Sequence, residues 1–190
     1  MREDKLTTEE KRTLLELARE ALEDGVIGKK PAPLDLDSLP RRLREQGASF
    51  VTLTIAGNLR GCIGALEPNQ PLAEDVREHT VAAAMQDFRF PNVVPEELPQ
   101  IAIEVSRLTP STPLEYTTPE DLLSKLHPGV DGVVLRDGPR RATFLPQVWE
   151  KLPDPARFLE NLCYKMGVTP DQWRKKHLEV LVYQVEEFHE

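Results

Sequence analysis

Seventeen prolines cut this chain into short pieces. Each removes a backbone donor and restricts the residue before it, so regular elements are confined to the intervals between them. The first interval reads as a helix: Thr7 with Glu10 three residues on forms a capping box, and Leu14, Leu15, Ala18, Ala21 and Leu22 recur at helical spacing. Gly25 is expected to end it. The Pro- and Asp-rich run from Lys29 to Pro40 reads as an ordered, irregular connection, followed by a short helix from about Ser38 to Gln46.

Further along, Ala48 to Ile55 alternates, with Val51, Leu53 and Ile55 on one face and Phe50 and two threonines on the other. Gly57-Asn58 is the expected reversal, so Leu59-Arg60-Gly61-Cys62-Ile63-Gly64 becomes the return strand of a hairpin. Pro71 opens an amphipathic helix that runs toward Asp87, and Asp87-Phe88-Arg89-Phe90-Pro91 is a turn. Ile101, Ile103 and Val105 mark a strand that carries Glu104 on its less apolar face. A helix near Glu120 to Lys125, a hairpin turning at Asp137-Gly138, a helix from Arg157 to Met166 ending at Gly167, and a closing strand Val180 to Val185 complete the pattern. Helices combined with hairpin-linked strands define an α+β class.

With 190 residues the chain can bury a sizeable core and is expected to form one compact unit. A formal charge of -8 repels a phosphate backbone and argues against nucleic-acid binding. The start, MREDKLTTEEKR, is polar, and no run is long and apolar enough to span a bilayer, so a cytoplasmic location with no membrane association is expected. The two cysteines, Cys62 and Cys163, lack CxxC partners, and the four histidines form no HExxH or His-x-His pair, so no metal site is assigned. P-loop, dinucleotide and G-x-S-x-G motifs are absent.

What remains is a set of polar residues beside apolar runs. Cys62 reads either as a nucleophile assisted by Arg60, two residues away on the same strand face, or as a small buried thiol. Arg60 reads as an anion anchor or as the partner of a structural acid, Glu104 or Asp87. Gly61 and Gly64 let the backbone approach a neighbouring element, or a ligand, closely. Asp87 and Arg89 read first as a structural ion pair and second as substrate contacts. Glu104 is the candidate general acid or base, or merely a neutralising partner for Arg60.

The strings FVTLTIAGNLRGCIGALEP, DFRFPNVVPEELPQIAIEVSRLTP, GVDGVVL, FLPQVW and FLENLCYKMGV resemble the AMMECR-type domain family, protein A of the AmmeMemoRadiSam system. The likeness runs in order from the first helix to about Trp173; Phe88 and Asn92 depart from it, standing where the family often has proline. It implies an α+β fold with a mostly antiparallel sheet flanked by helices, a smaller part inserted toward the C-terminal half, and a cleft near the LRGCIG segment. On that pattern the larger part would take about 1–110 and 155–190, and the smaller about 111–154. Residues carried over as site candidates are Arg60, Gly61, Cys62, Ile63, Gly64, Asp87, Arg89, Glu104 and Gln147. The resemblance implies a Memo-like and a radical SAM protein as partners, and it transfers neither iron–sulfur nor dioxygenase residues, so no cofactor follows. Two functions fit: a binding or accessory component, or an enzyme with Cys62 as nucleophile, Arg60 as anion anchor and Glu104 or Asp87 handling protons.

Overall fold

The computed structural model describes residues 5–190; the first four residues of the polar start lie outside the described residues. Cα packing divides the chain into a first unit, residues 1–109 with 186–190, and a second, residues 110–185. Residues 155–185, which the family resemblance would group with the larger part, pack with residues 110–154.

In the first unit, helix α1 (Thr8–Val26) opens on the expected capping box: the Thr7 hydroxyl accepts from the Glu10 N–H at 3.2 Å and the Glu10 carboxylate accepts from the Thr7 N–H at 2.7 Å. The helix runs past Gly25, which sits in its last turn against Val81; the left-handed residue beyond its end is Gly28, with φ +71°. The short helix expected from Ser38 is split into a 3-10 turn, Leu36–Ser38, and α2 (Arg41–Arg44), because Pro40 interrupts the backbone ladder between them. Strands β1 (Gln46–Ile55) and β2 (Asn58–Gly64) form the hairpin. Its reversal lies one residue earlier than expected, at Ala56 and Gly57, which both take positive φ as a tight two-residue loop demands.

A two-residue strand, β3 (Gln70–Pro71), leads into α3 (Leu72–Met85), and a 3-10 turn, Pro95–Gln100, precedes β4 (Ile101–Leu108). Val51 and Leu53 of β1 and Ile103 and Val105 of β4 pack with Leu14, Ala18 and Leu22 of α1 and with Ala73, Val76 and Ala83 of α3. The alternation of β1 therefore sends one face to the helices and leaves Phe50, Thr52 and Thr54 on the other.

The second unit begins with β5 (Thr112–Pro113) and α4 (Pro119–Lys125), capped by Thr118. The hairpin β6 (Gly132–Asp137) and β7 (Arg140–Phe144) follows, then a 3-10 turn, Pro146–Glu150, α5 (Pro155–Lys165), α6 (Gln172–Lys175) and β8 (Glu179–Tyr183). The strands pair in the order β5-β8-β6-β7, and Leu122, Val133, Leu135, Phe158, Leu162 and Trp173 fill the core beneath them. Trp149 stacks on Phe158 with ring centroids 3.7 Å apart.

The closing strand divides at Gln184. After β8, strand β9 (Val185–His189) joins the first sheet, whose order is β2-β1-β4-β9. Phe188 enters the first core, and the buried Glu186 accepts the Leu6 N–H at 3.1 Å and pairs with Lys11 at 2.7 Å. A run reading Glu-Glu-Phe-His-Glu has too few apolar residues to announce a strand; its partners are supplied by residues far away in sequence.

Candidate functional site at the edge of the first sheet

Among the described residues β2 stands at an edge of the first sheet, paired on one side by β1. Both of its glycines are there for close approach. A Cβ on Gly61 would stand 2.1 Å from the Ala83 carbonyl oxygen of α3, and one on Gly64 would stand 2.4 Å from the Ser49 carbonyl oxygen and from the Phe50 ring. Ile63 opposes Val51 and packs against the core.

The register sets the row of side chains. Cys62 opposes Thr52, and Thr52 on its other side opposes Glu104, so the three share the sheet face away from α1 and α3. The Cys62 N–H is turned to the outside of the sheet, where the Asp87 carboxylate accepts it at 2.9 Å. Cys62 and Thr52 thus form a pair without mutual backbone hydrogen bonds, the kind whose side chains lie closest, and the Thr52 hydroxyl donates to the Cys62 sulfur at 3.3 Å. Glu104 is half-buried, and no hydrogen bond or ion pair engages its carboxylate among the described residues.

Arg60 goes elsewhere. Leu53 opposes Gly61 while Thr54 opposes Leu59, so Arg60 is the extra residue of a β-bulge and falls outside the regular alternation. The expected shared face with Cys62 is lost at that bulge. The expected pairing of Arg60 with Glu104 or Asp87 is also corrected: its guanidinium meets the Glu97 carboxylate with Nε–Oε1 at 2.8 Å and Nη2–Oε2 at 2.9 Å. It donates further to the carbonyls of Pro91 at 2.9 Å and Asn92 at 3.3 Å. A bidentate fork of this kind holds Glu97 below the usual carboxylate range, and the Val94 N–H on the same carboxylate assists.

Asp87 and Arg89 form the structural pair expected of them. Asp87 is buried, and Arg89 reaches it through Nε at 2.9 Å, through Nη2 at 2.6 Å and through its own N–H at 3.2 Å. The Arg89 guanidinium, seconded by the Cys62 and Arg89 N–H groups, outweighs burial and keeps the Asp87 carboxyl far below its ordinary range. Arg89 Nη2 also donates to the Cys62 carbonyl at 3.2 Å. Both backbone groups that Cys62 turns to the edge are therefore satisfied by one ion pair, which does here what a neighbouring strand would otherwise do.

Sequence reasoning misses Glu97 and Thr52. Glu97 lies in a Pro-Glu-Glu-Leu-Pro run whose two acids are indistinguishable by spacing. Thr52 falls on the polar face by its alternation, and a cross-strand count from Cys62 would have singled it out. Gln147 stands exposed in the 3-10 turn of the second unit. No group of three or more His, Cys, Asp or Glu side chains able to hold a metal ion occurs among the described residues. No helix among them is long and apolar enough to cross a membrane. A hollow of about 440 Å³ lies against Arg19, Glu23, Leu98 and Ile101, and no residue of β2 lines it.

The AMMECR1 family model matches residues 15–188. A protein of Methanothermobacter thermautotrophicus is 44% identical over 186 residues, covering 97% of this chain and 96% of its own. A protein of Methanopyrus kandleri is 40% identical over 196 residues, with 98% and 91% covered. The crystal structure of an uncharacterized protein from Pyrococcus horikoshii superposes with a TM-score of 0.76 at 34% identity, covering 97% of this chain and 93% of that one. With a family match spanning nearly its whole length and relatives of this similarity, the chain belongs to the AMMECR1 family.

Proposed function

We propose that this chain is a recognition component whose contact surface includes the sheet face bearing Cys62, Thr52 and Glu104. The observation that carries this reading is the internal engagement of three of the four charged candidates, Arg60 by Glu97 and Asp87 and Arg89 by each other. A guanidinium already held by a carboxylate and two carbonyls has little left to offer an anion. A carboxyl held far below its ordinary range does not exchange protons at neutral pH. What stays available is a thiol, a hydroxyl and an unpaired carboxylate in cross-strand register, a pattern suited to docking. The family resemblance favours a Memo-like and a radical SAM protein as the partners. Calorimetric titration of each purified protein into this chain, under reducing and oxidising conditions, tests the reading: binding of at least one is expected, weakened by Glu104→Gln. Heat of dilution alone in all four titrations overturns it.

A second reading has one observation in its favour: the Cys62 thiol is only half-buried and sits beside a hydroxyl donor, with the Arg89 guanidinium on its own carbonyl. In this reading Cys62 is the nucleophile, Glu104 handles the proton, and Arg89 replaces Arg60 as the local cation. Iodoacetamide would then label Cys62 at pH 6 much faster than it labels glutathione. Labelling no faster than glutathione removes the nucleophile.

A further inference from the structure

We infer that the hollow between α1 and the 3-10 turn Pro95–Gln100 is a binding site for a small aliphatic amine, its ammonium group meeting Glu23 and its alkyl chain lying against Ile27, Leu98, Pro99 and Ile101. The site belongs to the first unit, shares no residue with the Cys62 row, and does not depend on the chain being a recognition component.

Arg19 and Glu23 of α1 and Ile27 at its C-cap recur at every fourth position, so they form one stripe about 12 Å long. Leu98 and Pro99 of the 3-10 turn and Ile101 of β4 make the facing wall. Arg19 ties the two walls together: Nη1 donates to the Leu98 carbonyl at 3.3 Å and Nη2 to the Ile101 carbonyl at 2.7 Å. Its Nε donates to the Glu190 carboxylate at 3.0 Å, and Nη2 pairs with the same carboxylate, so the guanidinium is neutralised where it stands. Two turns along the stripe Ile27 is 61% exposed and takes no part in the first core. A hollow of about 440 Å³ whose walls are held in advance has the size of a small-ligand site and loses little order on binding.

The charge of the ligand follows from what the lining leaves uncompensated. Glu23 is exposed, and its carboxylate carries no hydrogen bond or ion pair among the described residues. Its neighbour Asp24 is taken by Lys29 at 2.9 Å. The C-terminal end of a helix carries partial negative charge, and α1 has no basic residue in its last turn to meet it. With Arg19 neutralised by Glu190, the lining is left with one net negative charge beside apolar walls. An anionic ligand would meet Glu23 and the helix end with like charge. A metal ion would find a single carboxylate and leave the apolar walls uncovered. An alkylammonium supplies three N–H donors at one end and apolar surface along the rest.

Methyl NMR of the full chain tests this with n-hexylammonium chloride, sodium hexanoate and 1-hexanol as probes. Hexylammonium should shift the Ile27, Leu98 and Ile101 methyl signals saturably, with a Kd of about 10 mM or tighter for a ligand of this size. Hexanoate should bind about tenfold more weakly, and hexanol should fall between the two. Glu23→Gln should weaken hexylammonium about three- to fivefold and leave hexanol unchanged, whereas Ile27→Ala should weaken both. Glu23 and Ile27 are exposed, so the melting temperature of each variant should match wild type. Equal binding of hexylammonium and hexanoate, or full retention of hexylammonium by Glu23→Gln, overturns the ammonium assignment. Shifts that never saturate, or that spare the three methyl-bearing residues, overturn the site itself. The comparison of the three probes on the wild type is decisive even where a variant loses stability.

Discussion

Cys62 and Cys163 occupy two kinds of surroundings. Cys62 lies at the edge of the first sheet, half-buried, with a hydroxyl on its sulfur and an ion pair on its backbone. Cys163 lies on α5 of the second unit, fully buried in the cluster that holds Phe158, Leu159, Leu162 and Trp173. Burial pushes the Cys163 thiol up, away from the thiolate, and makes it a small apolar group. The same residue type is thus core filling in one region and part of a polar surface row in the other. Function is to be sought where the chain arranges polar groups around an accessible atom, and the second cysteine supplies an internal control.

The sharpest way to break the contrast is thiol labelling of the native protein. Cys62 should react with iodoacetamide in the folded state, whereas Cys163 should wait for unfolding, a separation of about 1,000-fold or more for a domain of ordinary stability. Mass spectrometry of the two peptides over time reads the ratio, and equal rates would erase the distinction. The next largest effect is expected from Gly61→Ala. With a backbone oxygen 2.1 Å from the new Cβ, β2 and α3 must separate, a destabilisation of about 3 kcal/mol in chemical unfolding. Tolerance of the alanine would mean that the glycine is not needed for packing.

Asp87→Asn tests the ion pair that stands in for a missing strand, and about 2 kcal/mol of stability should be lost at neutral pH. Its pH dependence has a definite sign. Folded, Asp87 titrates below its ordinary value, so its contribution is complete above about pH 5, where the unfolded carboxyl is also ionised. As pH falls below that, the unfolded chain takes up the proton first and stability is lost. The stability of Asp87→Asn should therefore fall less steeply than that of wild type in acid, as urea unfolding across pH 2–5 would show to within about a unit. The smallest effect belongs to Thr52→Val, which removes the hydroxyl on the Cys62 sulfur in a nearly isosteric way. About 1 kcal/mol or less is expected in stability, with a measurable change in the Cys62 labelling rate. An unchanged rate would leave Thr52 as a spectator.

Much of this is legible in the sequence. The capping box at Thr7, the alternation of β1, the strand around Ile103 and the Asp87–Arg89 pair all depend on residues close together in the chain. The partner of Arg60 is not, because a bulge leaves no reliable mark on a strand's sequence, and the end of α1 falls at a different glycine from the expected one because Gly25 and Gly28 look alike there. The division of the last strand between two sheets is equally hidden, since Glu186 and Phe188 find their partners in Leu6, Lys11 and the first core.

Local order therefore sets the elements, the class and the candidate residues, because hydrophobic period, capping and turn chemistry act within a few positions. Only the packed molecule decides which candidates are free. Glu97 reaches Arg60 across 37 positions, Asp87 reaches the Cys62 backbone across 25, and Thr52 meets Cys62 through cross-strand register. Charge and hydrogen bonding depend on distance in space, and no spacing along the chain carries that information.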